Sequence, residues 1–146
     1  MNTSDTIAQL LEAIAALVPV YMAQPEDFAI SHGTVAVCII EQGGKLSGQI
    51  FGADKIRGRE SYRLAWTKAS QVWITGYKTG EYEKLVFADK LDHGQFGINM
   101  PDFIGWEGGQ PILLPSGERV AVGVSGFRGT SDIEIVQRAL ADISAK

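Results

Sequence analysis

The sequence predicts an α+β domain whose strands pair antiparallel. Two pairs of strand-like segments, each joined by a short turn, are separated by helical patterns, and strands and helices do not alternate as they do in a parallel sheet. With 146 residues the chain has room for one domain, residues 1–146. A hydrophobic fraction of 45% with 21% charged residues is typical of globular proteins and excludes a disordered chain.

The first helix is predicted over residues 4–18. Apolar residues recur there at helical spacing behind Ser4 and Asp5, which are both suitable helix caps. Pro19 is expected to end the helix or to kink it, because proline lacks the N–H that a helix interior needs.

A β-hairpin is predicted next. The run TVAVCIIE over residues 34–41 is rich in β-branched residues and apolar on both alternating faces, as in a central strand covered on both sides. Residues 42–45 read QGGK, which is a turn pattern, and the weaker alternation over residues 46–52 predicts the partner strand.

Two helices and a long loop are predicted in the middle of the chain. Apolar residues trace one helical face and Gly80 follows as a stop, so we expect a helix over residues 60–78 and a short one over residues 81–91. Residues 92–110 contain five glycines and no sustained period. Aromatic and aliphatic residues there argue against disorder, so the segment is expected to be an ordered loop of the kind that forms lids or binding sites.

A second hairpin is predicted to pair residues 111–114 with residues 119–125 across the turn PSGE. One face of the later strand carries valines, and the other carries the small residues Ala121, Gly123 and Ser125. Small residues let a helix, another backbone or a ligand approach closely, and helix packing is the commoner reason for them.

The final helix is predicted from a capping box. Residues 131–134 read SDIE, and apolar residues follow at helical spacing up to Ile143. In such a box Ser131 bonds an amide of the first helical turn, so its side chain is expected to stabilise the fold by about 1 kcal/mol.

Composition and charge argue against several classes of partner. The formal net charge of -4 leaves no basic stripe for nucleic acid. The single cysteine, Cys38, cannot form an intrachain disulfide or a multi-cysteine zinc site. No apolar run reaches the ~18 residues of a membrane span, and Gln9 and Glu12 interrupt the apolar N-terminal segment where a signal peptide would be uninterrupted. A cytoplasmic protein without a membrane partner is therefore expected.

Few side chains follow a recognised catalytic pattern. His93 lies in the long loop, where a surface histidine is commoner than a metal ligand, and no metal site is assigned. Arg57 and Arg59 could clamp a carboxylate, although such a pair more often belongs to a solvated turn. Lys68 lies near two tryptophans, where its stem can pack while its amine stays in water or contacts a ligand.

A pattern in the C-terminal half resembles that of a known family. It comprises Gly108, Gly109, Pro111, Gly117, the run VGVSG over residues 122–126, and Asp132. Upstream, residues 36–48 resemble the first hairpin of the same family, Lys68 and Ala69 its central helix, and residues 79–81 the turn that follows. The family is the GlcG/HbpS-like family, which includes haem-binding members and the C-terminal domain of PduO-type corrinoid adenosyltransferases.

This resemblance implies a fold, an assembly and a type of ligand. The fold would be α+β with a five-stranded antiparallel sheet between helices, in a profilin-like layout, and members commonly form dimers or larger rings. Haem is the implied cofactor, for which His93, His32, Tyr21 and Met22 are candidate axial ligands. The first helix holds no histidine, so the sequence assigns none of them.

The function favoured at this point is small-molecule binding, between the glycine-rich loop and the small face of the last strand. Haem or another planar ring is the ligand that the resemblance implies. The residues expected at this site are Trp66, Lys68, Phe96, Phe103, Trp106, Gly108, Gly109 and Ser125.

Two alternatives remain open. An enzyme acting on a small anionic or carbonyl substrate would use His93, Glu107 or Asp132 as acid or base and Arg57, Arg59 or Lys68 to hold the anion. An accessory protein that forms homo-oligomers would instead use the aromatic loop as a subunit interface, with Phe103 or Trp106 at or near it.

Overall fold

The computed structural model describes residues 2–99 and 102–145, apart from the side chain of His93. Helices lie at both ends of the chain and between two β-hairpins. In chain order the elements are α1 (Thr3–Met22), α2 (Pro25–Ser31), β1 (Val35–Glu41), β2 (Leu46–Phe51), α3 (Lys55–Thr75), α4 (Thr79–Phe87), a 3-10 turn (His93–Phe96), β3 (Gly109–Leu113), β4 (Arg119–Ser125) and α5 (Gly129–Ser144).

The sheet confirms the α+β class but not the expected number of strands. Within the described residues it has four antiparallel strands in the order β2-β1-β4-β3, so five was wrong. The residue pattern itself indicates four strands, and the fifth was implied by the family resemblance alone. The long segment before β3 is rich in glycine and lacks the two-residue alternation of a strand, and it forms a 3-10 turn and loop instead.

Both faces of the sheet are covered, as the run in β1 predicts. Val35, Val37 and Ile39 pack on one side in a core shared with α1 and α5. Ala36, Cys38 and Ile40 point to the other side, against α3. β1 is therefore the central buried strand of the domain.

The small face of β4 is explained by helix packing. A Cβ atom on Gly123 would lie 2.1 Å from the backbone oxygen of Ala65 and 2.7 Å from the backbone nitrogen of Ala69. Backbone atoms cannot yield to such a contact, so glycine at this position lets α3 lie directly on the sheet. The position of α3 in turn fixes the side chains of the candidate site described below.

Helix boundaries differ from the sequence-based expectation at several points. α1 continues through Pro19 to Met22. α3 begins five residues earlier than expected, because the Asp54 carboxylate accepts hydrogen bonds from Ile56 N and Arg57 N at 3.0 and 3.1 Å. It ends at Thr75, where Gly76 follows as the C-cap in the left-handed conformation with a φ of 79°, so Gly80 is not its stop.

α1 is the only helix in the described part of the chain with the length and hydropathy of a membrane span. Its residues Ile7, Leu10 and Ile14 are buried in the core that α1 shares with the sheet and α5. This is the packing of a core helix in a folded domain.

The capping box of α5 does not form. The helix begins at Gly129, two residues before Ser131, and no side chain caps it. Ser131 Oγ instead donates to Asp27 Oδ2 at 2.8 Å, and Glu134 accepts a hydrogen bond from Tyr21 OH. Both polar side chains of the expected box therefore have tertiary partners, which local sequence spacing cannot reveal.

Asp27 ties α2 to the start of α5. Its fully buried carboxylate accepts from the backbone N and side-chain Nε of Arg128, both at 3.0 Å, as well as from Ser131. Burial alone would raise the pKa of Asp27, but the hydrogen bonds from Arg128 and Ser131 outweigh it and hold the pKa below its usual value. Since the folded state has the lower pKa, this stabilisation is present above pH ~4 and is lost as the pH falls through the folded-state pKa.

Replacing Ser131 with alanine is expected to lower the free energy of unfolding by about 1 kcal/mol, through loss of the hydrogen bond to Asp27. Urea denaturation of Ser131→Ala, Asp27→Asn and the double variant measures the coupling between the two side chains. We expect Ser131→Ala to cost less in the Asp27→Asn background. Strictly additive costs would show that Ser131 acts independently of Asp27, as a helix cap would.

Candidate functional site

A cavity of about 770 Å³ lies between α3, the loop from β4 to α5, and residues 105–107. It is larger than a second cavity of about 590 Å³ that lies next to α4. Its walls bring together six of the residues proposed from the sequence: Arg57, Lys68, Trp106, Glu107, Ser125 and Asp132.

α3 supplies one wall through a single helical stripe. Arg57, Ser61, Leu64 and Lys68 all line the cavity and follow one another at intervals of four, three and four residues. This spacing places them on one helix face, as i, i+4 and i+3 neighbours. The sequence patterns did not lead us to Ser61 and Leu64, although both precede Lys68 at helical spacing and therefore share its helix face.

The strip of loop over residues 104–108 supplies a second wall and is fastened by two buried side chains. The Gln71 amide donates to Ile104 O at 2.7 Å and accepts from Ile104 N at 2.9 Å. Thr79 Oγ1 donates to Trp106 O at 2.6 Å. These bonds hold Trp106 at the cavity with 67% of its surface exposed.

The floor of the cavity holds a buried ion pair. Lys68 Nζ lies 3.5 Å from Asp132 Oδ2, and the two side chains are 3% and 2% exposed. Lys68 Nζ also donates to Val124 O at 2.9 Å, and Asp132 Oδ1 accepts from Phe127 N at 3.0 Å. Each charged group therefore has two partners, which a buried charge requires.

Burial acts on the two groups in opposite directions. It lowers the pKa of the Lys68 amine, while the Asp132 and Glu107 carboxylates oppose that change. It raises the pKa of the Asp132 carboxyl, against the effects of the Lys68 ammonium and the Phe127 N–H. The two pKa shifts reduce the free-energy difference between the charged pair and the neutral pair, in which the proton has moved from Lys68 to Asp132.

Gly108 is required beside this pair. Its φ is 128°, and a Cβ there would lie 2.4 Å from Val124 O and 2.7 Å from Lys68 Nζ. The first contact is with backbone and leaves no room to adjust. Glycine at this position therefore lets the backbone of residue 108 pack directly against Val124 O and the lysine amine.

The arginines around the cavity differ in whether they line it and in whether their guanidinium groups are already bonded to other side chains. Arg128 lines it, but its guanidinium is bonded to Asp27 and to Gln24 Oε1. Arg57 lines it as an exposed side chain, whereas Arg59 is not among the lining residues. The structure therefore does not bring the proposed Arg57 and Arg59 clamp together at this cavity.

Several predicted wall residues lie elsewhere. Trp66 is 43% exposed and lines a smaller cavity of about 250 Å³, together with Trp73, Ile74 and Ile98. Phe96 and Phe103 pack against the buried ring of Tyr82, with centroids 6.0 and 5.7 Å away. The apolar wall consists instead of Trp106 with Ile30, Leu64 and Phe127.

Gly109 is not among the residues that line this cavity. Gly109 borders a second cavity of about 590 Å³ next to α4, which shares Gly105 and Glu107 with the first. The side chain of His93 lies outside the described residues, so its proposed role stays a prediction. Within the described chain no group of three or more His, Cys, Asp or Glu side chains could hold a metal ion.

The described residues that line the cavity do not supply an axial ligand for haem iron. Axial ligands are normally His, Cys, Met or Tyr, and none of these types occurs among the described residues that line the cavity. Of the other candidates, Met22 Sδ accepts from Ser31 Oγ, and Tyr21 OH donates to Glu134. His32 ends α2 with an exposed side chain.

Comparison with known proteins gives structural neighbours only. No family model matches the sequence, and no curated protein matches it significantly. The structure is similar to ORFY, a DUF336 protein of Klebsiella pneumoniae, with a TM-score of 0.66 and 23% identity over 94% of this chain and 89% of that one.

Two further neighbours are PduOC, whose structure contains haem, and HbpS. PduOC in complex with haem has a TM-score of 0.68 and 18% identity, over 97% of this chain and 93% of that one. A double mutant of HbpS from Streptomyces reticuli has a TM-score of 0.60 and 20% identity, over 93% and 84%. The chain therefore has the fold shared by ORFY, PduOC and HbpS, which confirms its resemblance to the GlcG/HbpS-like family at the level of the fold.

Proposed function

We propose that this chain is a small-molecule binding protein of the GlcG/HbpS-like family, with its ligand in the 770 Å³ cavity. The observation that carries the proposal is the buried pair of Lys68 and Asp132 in the floor of the cavity. Ligand sites typically combine apolar walls with a few fixed polar groups, and here Leu64, Trp106 and Phe127 supply the apolar part.

The ligand best suited to these walls is amphipathic, with a planar or apolar body and a polar end. Trp106 offers an aromatic face, Arg57 an exposed guanidinium, and the floor a fixed amine and carboxyl. PduOC binds haem, which supports a planar ligand for this chain as well. Because the described lining supplies no axial ligand, we expect porphyrins to be held here by ring contacts and charge.

Titration with haemin and with metal-free protoporphyrin IX tests this proposal. We expect both to bind one per chain with similar affinity, and Trp106→Ala to weaken binding about tenfold, the ~1.4 kcal/mol of a stacked aromatic contact. Trp66→Ala is the matched control, since Trp66 is an exposed tryptophan on α3 that does not line the cavity. Native mass spectrometry of the freshly purified protein would show any ligand carried from the cell.

Three results would contradict parts of this proposal. Binding without fixed stoichiometry, equally affected by both tryptophan variants, would show that the cavity is not the site. A Soret band lost or shifted in His93→Ala but unchanged in His32→Ala would identify His93 as an axial ligand. A ligated spectrum that survives both changes would point to Tyr21 or Met22.

An acid–base enzyme is the second candidate function. It is favoured by the opposite pKa shifts of Lys68 and Asp132, because buried groups with shifted pKa values in a cavity often carry catalysis. Glu107 lines the same cavity and could exchange protons with a bound substrate.

A cytoplasmic location without nucleic-acid or membrane partners remains a prediction from the sequence.

Self-association is expected from the family resemblance and from the exposed ring of Trp106. We predict a homo-oligomer with Trp106 or Phe103 at or near the interface. Sedimentation velocity at concentrations on the order of tens of micromolar measures this. A single 15.8 kDa species would contradict the prediction.

A further inference from the structure

We propose that Lys68 is a nucleophile that forms an imine with a small aldehyde or ketone bound in the cavity, with Asp132 as its proton-transfer partner. The inference rests on the proposed function, since it assumes that the cavity binds a ligand. It adds a ligand class, carbonyl compounds, and a covalent step.

The first support is the location of the amine. Lys68 is 3% exposed and lines the cavity, whereas the other lysines that the structure describes, Lys45, Lys55, Lys78, Lys84 and Lys90, are exposed. A lysine becomes a nucleophile when its amine is desolvated, because burial favours the neutral form. Since Lys68 lines the cavity, a ligand bound there lies next to its side chain.

The second support is the carboxyl 3.5 Å from Nζ. Imine formation needs one group that both accepts and returns protons, and burial gives Asp132 a pKa above its usual value. The Phe127 N–H at 3.0 Å fixes one carboxyl oxygen and leaves the other toward Lys68. The rest of the cavity, with apolar Leu64 and Trp106 and the exposed Arg57, suits a carbonyl compound that also bears a carboxylate.

The step balances without a further reactant. Asp132 takes a proton from the Lys68 ammonium, and the neutral amine attacks the carbonyl carbon to form a C–N bond. Asp132 protonates the former carbonyl oxygen and then takes a proton from the nitrogen. It finally protonates the hydroxyl, which leaves as water when the C–O bond breaks. The products are a protonated imine on Lys68, an Asp132 carboxylate and one water molecule.

Borohydride trapping with phenylpyruvate tests the proposal on the full-length protein. Phenylpyruvate has a ketone, a carboxylate and an aromatic ring, and phenyllactate is the matched compound without a carbonyl. After reduction, we expect the intact mass to show one adduct per chain with phenylpyruvate and none with phenyllactate. Peptide mapping should locate the adduct on Lys68 and not on the exposed Lys55 or Lys78.

Two variants test the role of Lys68 as nucleophile and the role of Asp132 as proton-transfer partner separately. Lys68→Arg keeps the positive charge but cannot form an imine, so the adduct should be lost. Asp132→Asn should slow trapping at least tenfold, as a general acid–base partner contributes ~10²-fold or more. Wild-type mapping does not depend on either variant folding.

Absence of an adduct on Lys68, or adducts spread over exposed lysines, would overturn the imine proposal. Calorimetry with phenyllactate and the porphyrin titrations separate this failure from failure of the proposed function. Binding of one noncovalent ligand per chain without an adduct would leave the cavity as a ligand site and remove only the covalent step.

Discussion

Lys68→Met is expected to lower the free energy of unfolding by about 3 kcal/mol or more, because it leaves the Asp132 carboxylate buried without its cation. Methionine nearly matches the lysine stem in volume, so a cavity contributes little to this cost. The ammonium holds the pKa of Asp132 down, so its removal raises that pKa further. Urea denaturation at several pH values measures the effect.

The pH dependence of the stability loss in Lys68→Met distinguishes the buried charge from packing as its cause. A carboxyl with a raised folded-state pKa stabilises the fold when it is protonated, and this stabilisation is lost as the pH rises from about 4 through the folded-state pKa. The deficit of Lys68→Met should therefore grow with rising pH. The double variant Lys68→Met/Asp132→Asn should recover much of the loss, since the amide oxygen can still accept from Phe127 N. A deficit that is independent of pH would show that packing and not charge dominates at this site.

The sheet and the main helices follow from sequence patterns because their determinants are local or periodic. The two-sided apolar run in β1 predicts its central position, and the small residues of β4 predict the close helix above it. Ser131 shows the limit of such reasoning. Its spacing from Glu134 fits a capping box, but Asp27, 104 residues away in sequence, takes its hydroxyl.

Part of the candidate site could also be predicted from the sequence, because some of its residues belong to local patterns. Lys68, Glu107 and Asp132 were each identified singly, and the structure adds that Lys68 and Asp132 form one buried pair in one cavity. Phe127 forms part of the wall although no local pattern distinguishes it. Phe103 was assigned to the wall because loop aromatics suggest a pocket, but its ring packs on Tyr82. Which aromatic residue faces a cavity depends on the path of the loop, and that path is fixed by distant partners such as Gln71.

Gly123→Ala is expected to lower the free energy of unfolding by about 3 kcal/mol or more, at the upper end of overpacking costs. The added methyl would lie 2.1 Å from Ala65 O and 2.7 Å from Ala69 N. Both are backbone atoms of α3, so relief requires the helix to move away from β4. Thermal and urea unfolding of the purified variant measure the loss.

Gly43→Ala is the matched control, because a Cβ there meets nothing within 4 Å and the position does not have a left-handed φ. It should leave the stability nearly unchanged. Ala69→Gly should not rescue Gly123→Ala, because it removes only the side-chain contact at 3.1 Å and leaves both backbone contacts in place. Since Lys68 lies between Ala65 and Ala69 on the same helix, a shift of α3 would also displace its amine from Val124 O and Asp132. Gly123→Ala should therefore weaken porphyrin binding even under conditions in which the variant stays folded, whereas a variant with normal stability and normal binding would show that α3 does not lie as close to β4 as described.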